Sequence, residues 1–134
     1  MPQLNNASPQ STPTPSLLKG RRILVTGAGR GLGQEFAQKI AAAGAQVVLA
    51  DILEPEVENA AAQLREQGHQ AQALVFDMAD PDAIKTAAQK AAGFFDGLDG
   101  LVNNAAITHS GGRSLEELDI ALWDQVMSIN VRGT

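Results

Sequence analysis

The segment Thr26-Gly27-Ala28-Gly29-Arg30-Gly31-Leu32-Gly33 narrows the choice of folds more than any other part of the chain. The run before it, Arg22–Thr26, is short, apolar and closed by glycine, which is the pattern of a buried strand. After it, Leu32, Phe36, Ile40 and Ala43 recur at helical spacing and form one expected face of a helix from Gly31 to Ala43. A glycine-rich turn between a strand and a helix has a specific use. Gly27 permits a tight exit from the strand. Gly31 leaves room for an anion to reach backbone N–H groups, and Gly33 lets the helix lie close to the sheet. The helix N-terminus then favours negative charge, so a pyrophosphate is the expected occupant. The bland alternative is a purely structural turn. The spacing of glycines 27, 31 and 33 is G-x-x-x-G-x-G, a variant of the dinucleotide fingerprint G-x-G-x-x-G.

The same alternation continues downstream. Gln46–Ala50 reads as a second strand closed by Asp51, and Pro55 opens a helix to about Gln67, with Gly68 after it. Gln72–Phe76 is a third strand closed by Asp77. Asp80-Pro81 supplies an N-cap and a first helical residue for a helix to about Phe95. Leu98–Asn103 is a fourth strand, and Thr108 to Ser114 a loop. Leu115 to Ile129 is an expected last helix with Leu118, Leu122, Val126 and Ile129 on one stripe. Short apolar strands alternating with amphipathic helices predict an α/β fold: a Rossmann-type, doubly wound parallel sheet, incomplete at about four strands with flanking helices. Residues 1–16 are polar and rich in Pro, Ser, Thr, Gln and Asn, and are expected to be a disordered tail. Residues 17–134 form the single folded unit.

Asp51, at the end of the second strand, falls where the dinucleotide fingerprint places an acid about 20 residues past its glycines. A carboxylate there accepts hydrogen bonds from adenosine ribose hydroxyls and repels a 2′-phosphate, which favours NAD over NADP. Arg30 pulls the other way, because a guanidinium in the turn can pair with a 2′-phosphate. The bland alternative for Asp51 is a plain turn aspartate.

Composition excludes several other classes. The net charge of −5 argues against a nucleic-acid binder, which usually carries a basic patch, and gives no support for binding anionic membranes. The absence of cysteine rules out disulfides and thiolate metal sites, and the two histidines, His69 and His109, have no ligand spacing. The most apolar runs, such as Ile23–Val25 and Ala45–Ala50, fall well short of the ~20 residues a membrane helix needs. Nothing at the start resembles a signal peptide. A cytoplasmic protein is the expectation.

These segments together resemble the short-chain dehydrogenase/reductase family over roughly residues 19 to 134. Thr26 to Gly33 resembles that family's T-G-x-x-x-G-x-G turn, with Arg30 and Leu32 inside it. Asp77 resembles the family's aspartate near the adenine ring, with Met78 beside it. Asn103-Asn104-Ala105-Ala106 resembles its N-N-A-G segment, which supports the sheet and lines the cofactor. Ala106 stands where glycine is usual. Asn130-Val131-Arg132-Gly133 resembles the N-V-x-G segment, whose asparagine belongs to the catalytic tetrad. The resemblance implies reversible hydride transfer between nicotinamide and an alcohol or carbonyl substrate, in an enzyme that is usually a homo-oligomer. It assigns Gly27, Arg30, Gly31, Leu32, Gly33, Asp51, Asp77, Met78, Asn104 and Ala105 to the cofactor and Asn130 to catalysis. His109 and Ser110 follow the fourth strand, where a substrate contact competes with a solvated loop.

The family's Tyr-x-x-x-Lys signature is missing. The chain contains no tyrosine, and it stops at Thr134, midway along an expected helix. It is therefore expected to be the front part of a longer enzyme, inactive alone. A stand-alone nucleotide-binding module is the alternative. A methyltransferase or sugar-nucleotide enzyme fits the Asn-Asn-Ala and Asn-Val-x-Gly segments poorly.

Overall fold

The computed structural model describes residues 16–108 and 114–134. Residues 1–15, which hold most of the expected tail, lie outside the described residues, as do His109 and Ser110.

Four parallel strands form one sheet: β1 (Arg22–Thr26), β2 (Gln46–Asp51), β3 (Ala71–Val75) and β4 (Gly100–Val102), in the order β3-β2-β1-β4. Helices α1 (Gly31–Ala42), α2 (Glu54–Glu66) and α3 (Pro81–Phe94) connect them. A 3-10 turn (Leu115–Glu117), helix α4 (Ile120–Met127) and a π-helical turn (Ser128–Arg132) follow. The sheet is Rossmann-like and incomplete, as the alternation predicted.

Side chains alternate across the sheet, so each face receives its own layer. Val25, Val47 and Leu49 point to the face covered by Ala37 and Ala41 of α1 and by Val57, Ala60 and Leu64 of α2. Leu24, Val48, Ala50 and Leu74 point to the opposite face, against Ala87 and Ala91 of α3. The central strand β2 is apolar on both sides because both sides are covered. The parallel register sets Thr26 beside Ala50 and Asp51 beside Val75. The carboxyl ends of the strands therefore open on one edge of the sheet, and the functional side chains collect there.

The helix starts have local causes. Asp80 caps α3, its carboxylate accepting the N–H groups of Asp82 at 2.9 Å and Ala83 at 3.2 Å, with Pro81 following. Glu54 and Glu56 sit in the first turn of α2 and Arg65 in its last, each matched to the helix dipole.

Three expectations need correction. The buried face of α1 is Gly33, Ala37 and Ala41, whereas Leu32 and Phe36 are exposed. Small residues win that face because the helix lies close against the sheet. The fourth strand is shorter than Leu98–Asn103. At its start Asp96 has a φ of 62° and the Asp99 N–H donates to the Arg22 carbonyl at 2.8 Å. At its end the Asn104 N–H turns back to the Val102 carbonyl at 3.1 Å. Finally, no single helix runs from Leu115 to Ile129. Asp119 is extended (ψ 129°) and accepts the Ala121 N–H at 3.0 Å, so it starts a new helix instead of continuing the old one.

Candidate functional site

The site begins at Thr26, the last residue of β1 and a buried polar side chain. Its hydroxyl accepts the N–H groups of Asn104 and Ala105, each at 3.1 Å, and donates to the Val102 carbonyl at 3.3 Å. The Asn104 amide donates to the carbonyls of Thr26 at 3.0 Å and Gly27 at 3.2 Å. Together these bonds fasten the exit of β4 to the exit of β1. Asn104 is thus a brace, and it presents the Ala105 and Ala106 backbone to the same opening.

The glycine turn has little freedom to vary. Gly27 has a φ of +64°, and a Cβ there would come within 2.9 Å of the Ala105 Cα. At Gly33 a Cβ would lie 2.0 Å from the Gly27 carbonyl oxygen, so the start of α1 rests directly on the strand exit. Gly31 differs: its φ is +60° and, among the described residues, nothing lies within 4 Å of an added Cβ. It faces open space. Arg30, at the N-cap position of α1, is extended and gives no side-chain cap, and the first turn of the helix holds no acid. Among the described residues, no side-chain anion caps the leading N–H groups of α1.

Asp51 ends β2 with both carboxylate oxygens engaged. Oδ2 accepts the Gly29 N–H at 2.9 Å, and Oδ1 accepts the Leu53 N–H at 3.0 Å. Beyond β3, the Phe76 N–H donates to the Asp51 carbonyl at 3.2 Å, and the Asp77 carboxylate accepts the Ala79 N–H at 2.8 Å. Asn130, in the π-helical turn, bonds the Ile107 backbone through both ends of its amide. Arg132 reaches the Ala79 carbonyl at 3.4 Å from the same turn.

These elements enclose a cleft of about 430 Å³. Of the residues singled out in the sequence, Gly27, Arg30, Gly31, Asp51, Asp77, Met78, Asn104 and Ala105 line it. Leu32 and Gly33 do not. Leu32 is exposed, and Gly33 is buried beneath the turn. Asn130 does not line the cleft either, although its neighbour Ile129 does. Sequence reasoning missed the apolar lining of Ile52, Leu53, Phe76 and Ile107, and the close fit of Gly29. The available signal was position: Ile52 and Leu53 follow the acid that ends β2, and Phe76 precedes Asp77, the acid just past β3. The cleft is thus a mostly apolar slot with acids at two strand ends and free helix N–H groups at a third.

Comparison with known proteins gives a consistent result. A family model described as short chain dehydrogenase matches residues 21–134. The cis-4-hydroxycyclohexanecarboxylate dehydrogenase of Sinomonas cyclohexanicum is 38% identical over 113 residues, 84% of this chain and 45% of its own length. A crystal structure of a short chain dehydrogenase from Burkholderia cenocepacia, in complex with NADP, superposes with a TM-score of 0.82 at 37% identity, over 87% of this chain and 47% of that one. A Burkholderia phymatum short chain dehydrogenase/reductase in complex with NAD also gives 0.82, at 31% identity, over 87% of this chain and 41% of that one. The chain spans less than half the length of these proteins.

Proposed function

The chain belongs to the short chain dehydrogenase family, and from that premise we propose that it supplies the dinucleotide-binding half of an NAD(P)-dependent oxidoreductase. The observation that carries the proposal is a juxtaposition. One cleft holds Gly31 at the uncapped start of α1 and the Asp51 carboxylate at the end of β2. An elongated ligand with a diphosphate centre and a ribose to one side fits that pair. The diphosphate would take the free N–H groups of α1, where the open space over Gly31 admits it. Asp51 would accept the adenosine ribose hydroxyls, and Asp77 and Met78 would border the adenine. Ala105 and Ile107 extend the slot along the exit of β4.

NAD is the proposed cofactor, with NADP the weaker ligand. Asp51 ends β2, where the dinucleotide fingerprint places the ribose acid, and its charge there would oppose a 2′-phosphate; we weight this above the pull of Arg30, which lines the same cleft. When bound, the nicotinamide supplies hydride chemistry, between an alcohol and a carbonyl form of a small-molecule substrate. The protein's own part here is to hold and orient. Asn130 is proposed to act on the reaction by fixing the Ile107 backbone beside the cleft. General acid/base work in this family falls to a tyrosine, and these 134 residues contain none. Binding without turnover is therefore the expected behaviour of this chain. The exposed apolar residues Ile120, Trp123 and Met127 on α4 support assembly of the complete enzyme as a homo-oligomer.

Calorimetric titration of NAD, NADH and NADP into the folded chain tests the reading. NAD and NADH should bind, NADP more weakly, and Asp51→Ala should narrow the difference. A folded chain that takes up none of the three rules out the assignment.

A further inference from the structure

Glycine at position 29 is favoured by tight space and not by torsion, which separates it from Gly27 and Gly31. Its φ lies outside the left-handed region, so alanine can adopt its backbone. A Cβ there, however, would meet the Asp51 Oδ2 at 3.0 Å and the Glu56 Cβ at 3.2 Å. Neither neighbour yields easily. Asp51 is held by two backbone amides, and Glu56 is fixed by the first turn of α2.

We infer that Gly29 and Asp51 form a latch in which Gly29 is a positioning and specificity-determining residue for the cofactor, acting through the Asp51 carboxylate; the inference rests on the nucleotide reading given above. One carboxylate joins two turns. Oδ1 holds Leu53 at the start of α2, an ordinary contact two residues along the chain. Oδ2 reaches across to the glycine-rich turn and holds Gly29. A carboxylate offers about four acceptor sites, so each oxygen keeps capacity for a ribose hydroxyl after its amide bond is made. The amide bonds fix the direction of that remaining capacity before a ligand arrives. They are charge-assisted, the stronger kind of hydrogen bond. Ribose recognition and placement of the phosphate-binding turn therefore depend on the same two oxygens. A side chain at position 29 would push the carboxylate off its mark while leaving the acid in the sequence.

Two variants test this. In Gly29→Ala, affinity for NAD should fall about tenfold while affinity for NADP stays near its starting value, so that the NAD-to-NADP ratio drops toward that of Asp51→Ala. In an Asp51→Ala background the same glycine change should leave the ratio where it is, because the partner it acts through is gone. A retained ratio in Gly29→Ala, or an equal drop in both backgrounds, overturns the inference. Amide exchange gives a readout that needs no ligand. In Asp51→Asn the side-chain amide can offer an oxygen to only one of the two N–H groups, so the readout is taken in Asp51→Ala, which removes the acceptor from Gly29 and Leu53 alike and should speed exchange at both. Amide exchange at Gly29 in that variant should speed up at least about tenfold. Unchanged exchange at Gly29 overturns the latch. If no dinucleotide binds the unmodified chain, the nucleotide reading fails by itself, and the exchange measurement still decides whether the latch exists.

Discussion

Asn130 grips the backbone of Ile107 from both sides: its Oδ1 accepts the Ile107 N–H at 2.9 Å and its Nδ2 donates to the Ile107 carbonyl at 2.7 Å. Asparagine is the natural residue for this, since its amide carries an acceptor and a donor in the geometry of a peptide group. The contact ties the end of the chain to the segment leaving β4, beside the cleft. Asn130→Ala should leave two part-buried peptide groups without partners, at a cost of about 1–3 kcal/mol. Urea unfolding would measure the loss. Amide exchange at Ile107 would locate it, and an unchanged rate there would show that the grip does not hold the segment. Asn130→Asp should not rescue, because it sets a carboxylate oxygen against the Ile107 carbonyl.

Gly31 and Gly33 lie in the same turn yet should respond to alanine to different extents. At Gly33 the added carbon would sit 2.0 Å from the Gly27 carbonyl oxygen and 2.5 Å from the Asn104 Nδ2. Both are held, so the turn must open, and a loss of about 3 kcal/mol or more is expected. At Gly31 the added carbon meets nothing, and only the φ of +60° resists it. That strain is worth roughly 1–2 kcal/mol. Thermal unfolding of the two variants should rank them in that order. A reversed order would place the tight contact elsewhere.

The sequence was most legible where local chemistry and the tertiary fold agree. Arg22–Thr26 is bounded by its own composition and glycine, and α3 starts where Asp80-Pro81 says it should. Asp51 and Asp77 were readable because each also has a local role, accepting the amide two residues on, although the second bond of Asp51 crosses to Gly29. What was hidden depends on distant partners. Thr26 looks like an ordinary strand end until Asn104 and Ala105 arrive from β4. Gly29 looks dispensable until Asp51 and Glu56 close around it. The buried face of α1 was misread because Gly33, Ala37 and Ala41 contribute almost nothing to apolar periodicity, yet they are what allows close approach. The break at Asp119 was lost beneath the regular apolar spacing from Leu118 to Ile129, although aspartate is a strong N-cap.

Acid should loosen the bottom of the sheet through Asp99. Its carboxylate pairs with the Arg22 guanidinium, at 2.8 Å to Nε and 3.0 Å to Nη2, and accepts the Arg22 N–H at 2.9 Å. The side-chain hydrogen bonds to Arg22, foremost, and the backbone bond hold the Asp99 carboxyl well below the usual carboxylate range. A depressed folded-state pKa means that the ion pair stabilises the fold above the unfolded value, about 3.9. The contribution is lost as pH falls below that point toward the folded value. Asp99→Asn should therefore be less stable than the unmodified chain at pH 6, with the gap closing as the solution is acidified. The pair is partly exposed, so salt should narrow the gap as well. Urea midpoints across that range would check both trends, and a gap that widens in acid would contradict the sign.

The outer side of β4 is the place where this chain should associate with itself. Among the described residues β4 pairs only with β1, through Gly100, Leu101 and Val102, so its other edge presents free backbone groups. Leu101 is 56% exposed, an apolar residue on an open edge. Such edges template pairing with another chain unless a charge or a cover intervenes. Leu101→Lys should therefore reduce concentration-dependent association, read by light scattering or sedimentation, while leaving the melting temperature nearly unchanged because little buried area is lost. Ile120→Lys, on the exposed side of α4, serves as the comparison. If it suppresses association and Leu101→Lys does not, the helix and not the strand edge is the contact.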